Sequence, residues 1–210
     1  MSRIKRHKLK KHLLNREEPK KSISKKALFT IIIGGLMVLS VFGIMFSSFN
    51  SGGEQAKYGE YTFQQTAQGW VTEIGGTNYA FNYLPSDIED IEVDTSAVEK
   101  LKQSKVLYVT FNPNTRNVQK FELMRFELSN MLMNMAGKVI MPGISEENDG
   151  YNQPFVNCTN TTQTMPVVSI VEGNTTTAYL DGDCIILEAD EYTTAALKDR
   201  VLYAMAGIIE

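Results

Sequence analysis

An uninterrupted apolar stretch at residues 27–49 is the feature that most constrains this chain. Its 23 positions contain no charged residue, no proline and no amide side chain. A helix of this length would extend ~34 Å, at ~1.5 Å per residue, and the hydrocarbon core of a bilayer is ~30 Å thick. Because a helix satisfies its own backbone hydrogen bonds where no water is available, the stretch predicts a transmembrane helix.

The charges on either side of this stretch predict its orientation. Residues 1–26 carry 11 of the 21 Lys and Arg residues and two acids, whereas residues 27–210 carry 10 basic and 22 acidic residues. Basic flanks stay in the cytoplasm, so we expect a cytoplasmic arm at 1–26 and an extracytoplasmic domain beyond the membrane. A cleaved signal peptide is the alternative, but its apolar region is typically ~7–15 residues long and ends at a small-residue cleavage site. The length of the stretch therefore favours an uncleaved anchor.

The basic arm has two interpretations besides that of a topology signal. Clustered Lys and Arg residues bind nucleic-acid phosphates, but no aromatic side chain lies among them to stack on bases. A specific protein partner of the arm is the other alternative. Since juxtamembrane cations are attracted to anionic headgroups, we expect the arm to contact membrane lipid and not nucleic acid.

The region after the anchor is long enough for one folded domain. Residues 50–58 are rich in Gly and small polar residues and predict a flexible tether. We expect residues 59–210 to form a single α/β (α+β) domain, of a size that buries about two thirds of the surface exposed by its unfolded chain. Its first element is a β-hairpin over residues 61–84, because side chains alternate on either side of a Gly-Gly turn. Its aromatic face is a candidate contact surface, with core packing as the alternative: Trp70, Tyr79, Phe81 and Tyr83.

Hydrophobic periodicity and turn residues predict the remaining elements of the domain. The predicted helices are 95–103, capped by Asp94 or Thr95, then 117–136, and a last one from a cap near Asp190 to about Gly207. The predicted strands are 105–111, 138–141 (ended by Pro142), 167–171, 175–180 and 184–187. The loop from Asn112 to Arg116 is the second candidate contact surface.

Two cysteines and three sequons lie close together in the C-terminal half. Cys158 and Cys184 are the only cysteines of the chain, and an even pair outside the cytoplasm predicts a disulfide. It closes a loop of about 27 residues and contributes ~3 kcal/mol in the chain-entropy model. A catalytic pair normally has the spacing C-x-x-C, which these two lack. Asn157, Asn160 and Asn174 each begin an N-x-[ST] sequon and are candidate glycosylation sites.

Several chemistries are absent from the predicted outer domain. Both histidines of the chain lie in the basic arm, so a histidine-activated nucleophile or a histidine-rich zinc site cannot form there. The sequence has no G-x-x-x-x-G-K-[ST] phosphate loop. We therefore expect no catalytic residue, no cofactor and no metal, and we favour a protein that is not an enzyme. Hydrolysis by a pair of carboxylates is the alternative that stays open, because residues 27–210 include 22 acids.

The element order from residue 105 onward resembles the thioredoxin fold. Met165-Pro166 precedes the strand at 167–171, where that family places a cis-proline, so the resemblance implies a cis bond at Pro166. The family's C-x-x-C position corresponds to residues 112–116, which contain no cysteine, so the resemblance implies a thioredoxin-like domain without redox chemistry.

The whole arrangement is also similar to uncharacterised single-pass membrane proteins of archaea. The similarity rests on the arm and anchor, the aromatic hairpin and three segments: NCTNTTQTMPVVSI, DCIILEAD and KDRVLYAMAGII. It implies a lineage and no activity.

Three functional hypotheses follow from these observations. The first is a membrane-anchored extracytoplasmic domain that binds a protein partner, as a non-enzymatic component of the envelope or of a membrane complex. The second is a thiol-disulfide oxidoreductase-like protein that uses Cys158 and Cys184. The third is a signalling protein that relays an outer event to the basic arm.

Overall fold

The computed structural model describes Ile33, Gly35, Leu36 and residues 53–209. The chain divides into two units, of which the second is Gly53–Glu210. The predicted arm and most of the predicted transmembrane stretch lie outside the described residues; Ile33, Gly35 and Leu36 are helical and exposed. No helix of the described part is long and apolar enough to cross a membrane.

The second unit begins with a four-stranded antiparallel sheet. Its strands pair in chain order: β1 (Gln55–Tyr58), β2 (Tyr61–Thr66), β3 (Gly69–Ile74) and β4 (Thr77–Phe81). Gly75 and Gly76 join β3 to β4 with φ of +59° and +82°, which confirms the predicted Gly-Gly hairpin. The predicted tether is wrong from Gln55 onward: this polar segment is held as a strand by backbone pairing with β2, which its composition does not reveal.

The rest of the unit forms a mixed α/β arrangement, as predicted. The helices are α1 (Pro85–Ile88), α2 (Thr95–Gln103), α3 (Val118–Ala136) and α4 (Thr194–Ala206), with a 3₁₀ turn at Cys158–Asn160. The strands are β5 (Glu92–Val93), β6 (Val106–Phe111), β7 (Val139–Ile144), β8 (Val167–Glu172), β9 (Thr177–Asp181) and β10 (Cys184–Ala189), in the sheet order β5-β9-β10-β8-β6-β7. The four strands β7, β6, β8 and β10 run parallel, and β9 pairs antiparallel with β10.

Helix α4 connects the two sheets through the hydrophobic core. The ring of Tyr203 stacks on Phe81 of β4 at 4.3 Å and meets Phe63 of β2 edge-on at 5.9 Å. The same core includes Ile185 and Leu187 of β10. Since both sheets contribute to one core, α4 is buried along most of its length.

Three charged residues of α4 are buried beside this core. The Asp199 carboxylate accepts hydrogen bonds from the backbone N–H groups of Asn82 (2.6 Å) and Tyr83 (3.0 Å), just after β4. Lys198 Nζ donates to Glu127 of α3 at 2.6 Å and lies 3.2 Å from Asp199. Arg200 Nε donates to the carbonyl of Ile91 at 3.1 Å. These contacts fix α4 against the segments that follow β4 and against α3.

Two predicted boundaries are wrong for local reasons. Strand β7 continues through Pro142 to Ile144, because it is the edge strand of the sheet and Pro142 pairs only with Val109 of β6, so its missing N–H interrupts no second ladder. Helix α4 begins at Thr194 and not at Asp190, because the Asp190 carboxylate caps a preceding turn by accepting from the N–H groups of Tyr192 and Thr193.

The peptide bond at Pro166 differs from what the thioredoxin resemblance implies. The peptide bond before Pro166 is trans. The Pro166 carbonyl accepts a hydrogen bond from the Tyr108 N–H at 3.1 Å, and β8 then runs parallel to β6. The predicted cis-proline is therefore wrong.

Candidate functional site

A cleft of about 580 Å³ opens at the carboxyl ends of the central parallel strands. The chain leaves β6 through α3 and returns as β7 on one side of β6, and the next strand, β8, pairs on the other side. Open α/β sheets bind ligands at such topological switch points, outside the carboxyl ends of the strands. The volume lies within the ~300–1,000 Å³ of small-molecule sites. We call this space the polar cleft.

The floor of the polar cleft is formed by β8. Val168 and Ile170 point into the main core, so Ser169 and Val171 point to the opposite face of the sheet and line the cleft. Ser169 is only 4% exposed, and its hydroxyl forms no hydrogen bond with a described residue. Thr110 lies opposite Ser169 on β6, is fully buried, and its Oγ1 has no hydrogen-bond partner among the described residues. Two hydroxyl groups without a protein partner among the described residues therefore lie side by side on neighbouring strands, and Ser169 lines the cleft.

The first wall is the loop between β6 and α3. Asn112 Oδ1 accepts from the Asn114 N–H at 2.8 Å, and Asn114 Oδ1 accepts from Asn148 Nδ2 at 2.8 Å. Asn114 Nδ2 in turn donates to Glu146 at 3.2 Å. These side-chain bonds hold the loop against the segment that follows β7.

The end of this loop presents polar groups that no described residue satisfies. Thr115 lines the cleft, and its Oγ1 is buried without a hydrogen-bond partner among the described residues. Arg116 is exposed and forms no ion pair with a described residue. Helix α3 begins two residues later; its N-cap, Asn117, forms no side-chain cap, and its first turn contains no acid. The positive end of the α3 dipole is thus not compensated by a side chain.

The second wall is the segment around the disulfide. The bridge between Cys158 and Cys184 is confirmed, with the two Cα atoms 5.4 Å apart. Cys184 is fully buried at the start of β10, so the bridge ties the wall to the sheet. Asn157 Oδ1 accepts from the N–H (3.0 Å) and Oγ1 (2.7 Å) of Thr159, which orders the turn. This arrangement agrees with a structural bridge.

The charges of the polar cleft have both signs. Arg116 is its only cation among the lining residues, and Glu146 and Glu172 are its acids. All three side chains are exposed, and they lie among neutral amide and hydroxyl groups.

The structure brings together some of the predicted site residues and separates others. Asn112, Arg116, Asn157 and Cys158 line the polar cleft. Asn160 ends the 3₁₀ turn of its second wall, and Asn174 is exposed in the turn between β8 and β9. Pro166 immediately precedes β8.

The aromatic hairpin does not form the predicted contact surface. Phe81 is 1% exposed and stacks on Tyr203, and Tyr79 donates from its hydroxyl to the Asn134 carbonyl of α3 at 3.1 Å. Trp70 and Tyr83 are half-buried against the same core. The alternative interpretation of this face, core packing, is the one observed.

Three residues that line the cleft were not predicted from the sequence: Ser169, Glu146 and Glu172. Ser169 is a single polar residue within the apolar strand VVSIV, which is the signal that could have identified it. The two glutamates are recognisable only once the strand order is known.

No group of three or more metal-binding side chains occurs in the part of the chain that the structure describes. Comparison with protein-family models, with characterised proteins and with solved structures found no match. The resemblance to archaeal single-pass proteins therefore stays a prediction.

Proposed function

We propose that this protein is a membrane-anchored extracytoplasmic domain that acts by binding, as a component of the envelope or of a membrane complex, with the polar cleft as its binding site. The observation that carries the proposal is the Thr115 hydroxyl, whose Oγ1 is buried without a hydrogen-bond partner among the described residues and which lines a switch-point cleft. A buried polar group without a hydrogen bond costs ~1–3 kcal/mol. A ligand that pairs with it recovers this free energy.

The lining of the cleft favours binding over covalent catalysis. Ser and Thr hydroxyls need an adjacent base to act as nucleophiles. No Ser or Thr hydroxyl in the cleft lining is hydrogen-bonded to a carboxylate of a described residue, and the lining includes no histidine, lysine or free thiol. The disulfide, with Cys184 fully buried, supports a fixed wall more than an exchanging thiol pair.

Membrane anchoring rests on the apolar stretch and its basic flank, and a protease-protection experiment tests it. Epitopes are placed at the two ends of the full chain, and intact cells without a wall are treated with protease. We expect the C-terminal epitope to be lost and the N-terminal epitope to be protected. Protection of both ends, or loss of the N-terminal one alone, would contradict the orientation.

The binding proposal is tested by what the full chain retains during purification in a gentle detergent. The variant Val171→Trp fills the cleft from its floor, and Tyr179→Trp, an exposed position on β9 outside the cleft, is the matched control. Co-purified proteins and small molecules are identified by mass spectrometry. We expect a stoichiometric partner or ligand with the wild type and with Tyr179→Trp, and its loss with Val171→Trp. Equal retention by all three folded proteins would refute the cleft as the binding site.

A further inference from the structure

We infer that the ligand of the polar cleft carries both a carboxylate and an ammonium group, as a free α-amino acid or a short peptide does. This inference rests on the proposed function, because it assumes that the cleft is a binding site. It adds the chemical class of the ligand and the residues that recognise each charge.

The carboxylate is assigned to the side of the β6–α3 loop. Arg116 provides a guanidinium that no described acid pairs with, and a guanidinium binds a carboxylate with two parallel hydrogen bonds. The uncapped N-terminus of α3 follows directly and adds positive potential. Thr115 and Ser169 add two hydroxyl donors, and Ser169 is almost fully buried within the cleft.

The ammonium group is assigned to the two acids. Glu172 ends β8 at the floor of the cleft, and Glu146 follows β7 on the opposite side of β6. Each carboxylate attracts a cation and accepts its hydrogen bonds. Glu146 is held in position by the donor Asn114.

The combination of both signs excludes simpler ligands. A purely anionic ligand would face the repulsion of Glu146 and Glu172, and a purely cationic ligand would face Arg116 and the α3 terminus. A neutral sugar typically stacks on an aromatic side chain, and none lines the cleft. The amide Nδ2 groups of Asn112 and Asn157 donate to no described residue, which leaves them available for a peptide carbonyl.

The test is calorimetric titration of the full chain in detergent with a defined panel. The panel contains free glycine and alanine, alanyl-alanine, N-acetyl-alanyl-alanine, alanyl-alanine amide, glucose and inorganic phosphate. We expect alanine or alanyl-alanine to bind, and we expect either blocked dipeptide to bind at least about tenfold more weakly, because each block removes one charge-assisted interaction. The comparison of alanine with alanyl-alanine distinguishes a free amino acid from a short peptide as the ligand.

Charge-neutral variants then assign each end of the ligand. Arg116→Gln should lower the affinity for the unblocked ligand by about tenfold and leave the affinity for alanyl-alanine amide nearly unchanged. Glu172→Gln should likewise lower the affinity for the unblocked ligand by about tenfold, and it should leave the affinity for N-acetyl-alanyl-alanine nearly unchanged. Lys120→Gln and Glu99→Gln are the matched controls, since both residues are exposed and neither lines the cleft.

Two outcomes would overturn the inference, and they are separable from failure of the proposed function. If blocked and unblocked dipeptides bind equally, or only glucose or phosphate binds, then the ligand class is wrong while the cleft is still a binding site. If nothing in the panel binds, the ligand class is wrong as well. In that case the retention experiment on Val171→Trp decides whether the cleft is a binding site.

Discussion

The pH dependence of stability should carry a component from Asp199. Burial of this carboxyl raises its pKa to about 6, although Lys198 and the backbone N–H groups of Tyr83 and Asn82 act in the opposite direction. In an unfolded chain the pKa of an aspartate is ~3.9. Between these two values the folded state binds more protons than the unfolded state. The stability that Asp199 contributes is therefore fully present below pH ~4 and is lost as the pH rises through about 6.

The magnitude follows from the difference between the two pKa values. At about 1.4 kcal/mol per pH unit, a pKa of about 6 against ~3.9 corresponds to a decrease of about 3 kcal/mol in the free energy of unfolding. The variant Asp199→Asn keeps the shape of the side chain and a carbonyl oxygen for the Asn82 and Tyr83 N–H groups, but it does not titrate. Its stability should lack this component.

Urea denaturation of the wild type and of Asp199→Asn at half-unit steps from pH 4 to pH 7 measures the difference. The free energy of unfolding of the wild type, relative to that of Asp199→Asn, should be highest near pH 4. This difference should decrease by about 3 kcal/mol between pH 4 and pH 7. Groups such as Asp94, whose pKa is lowered by hydrogen bonds from Ser96, contribute with the opposite sign but equally in both proteins. Parallel pH profiles of the two proteins would refute the reasoning.

Two further predictions concern the stability of the outer domain. Replacing both Cys158 and Cys184 by Ala should lower the free energy of unfolding by about 3–4 kcal/mol, because the bridge closes a loop with a sequence separation of 26 residues; a variant as stable as the oxidised wild type in urea would contradict this. Leu128→Ala should cost ~2–5 kcal/mol, because Leu128 is fully buried on α3. Leu123→Ala on the same helix, where the side chain is 51% exposed, should cost less than about 1 kcal/mol. Equal losses at the two leucines would show that the outer face of α3 is covered in solution.

Elements with strong local signals could be predicted from the sequence. Helix α2 has the predicted bounds 95–103 because Asp94 accepts from the Ser96 N–H as its N-cap. Helix α3 ends where predicted because Gly137 takes a left-handed conformation at its C-cap. Each of these helix ends is determined by a few neighbouring residues, so it can be predicted from a short stretch of sequence.

Features that depend on distant partners could not be predicted in this way. Strand β1 has little apolar character of its own and exists because β2 pairs with it. The buried charges of α4 interrupt its apolar pattern, and their partners lie far away in sequence, at Asn82 and Glu127. The direction of β8 relative to β6 has no local signature either, so the order of elements along the chain does not reveal it.

The polar cleft depends on local sequence signals and on contacts between distant segments. Its components come from the loops after β6 and β7, from β8 and from the disulfide segment, and these meet only because β7 and β8 pair on opposite sides of β6. The alternating aromatic residues of the hairpin predicted a contact surface more strongly than any residue of the cleft did. In the structure these side chains pack on the core around α4, which buries charged residues and Tyr203. Ser169 has no such structural use: its neighbours on β8 fill the cores on both faces, while its hydroxyl is left without a partner. A polar side chain that lines a cleft without a protein partner is therefore a stronger pointer to binding here than an aromatic pattern, since core packing accounts for the aromatic residues and no contact among the described residues accounts for the Ser169 hydroxyl.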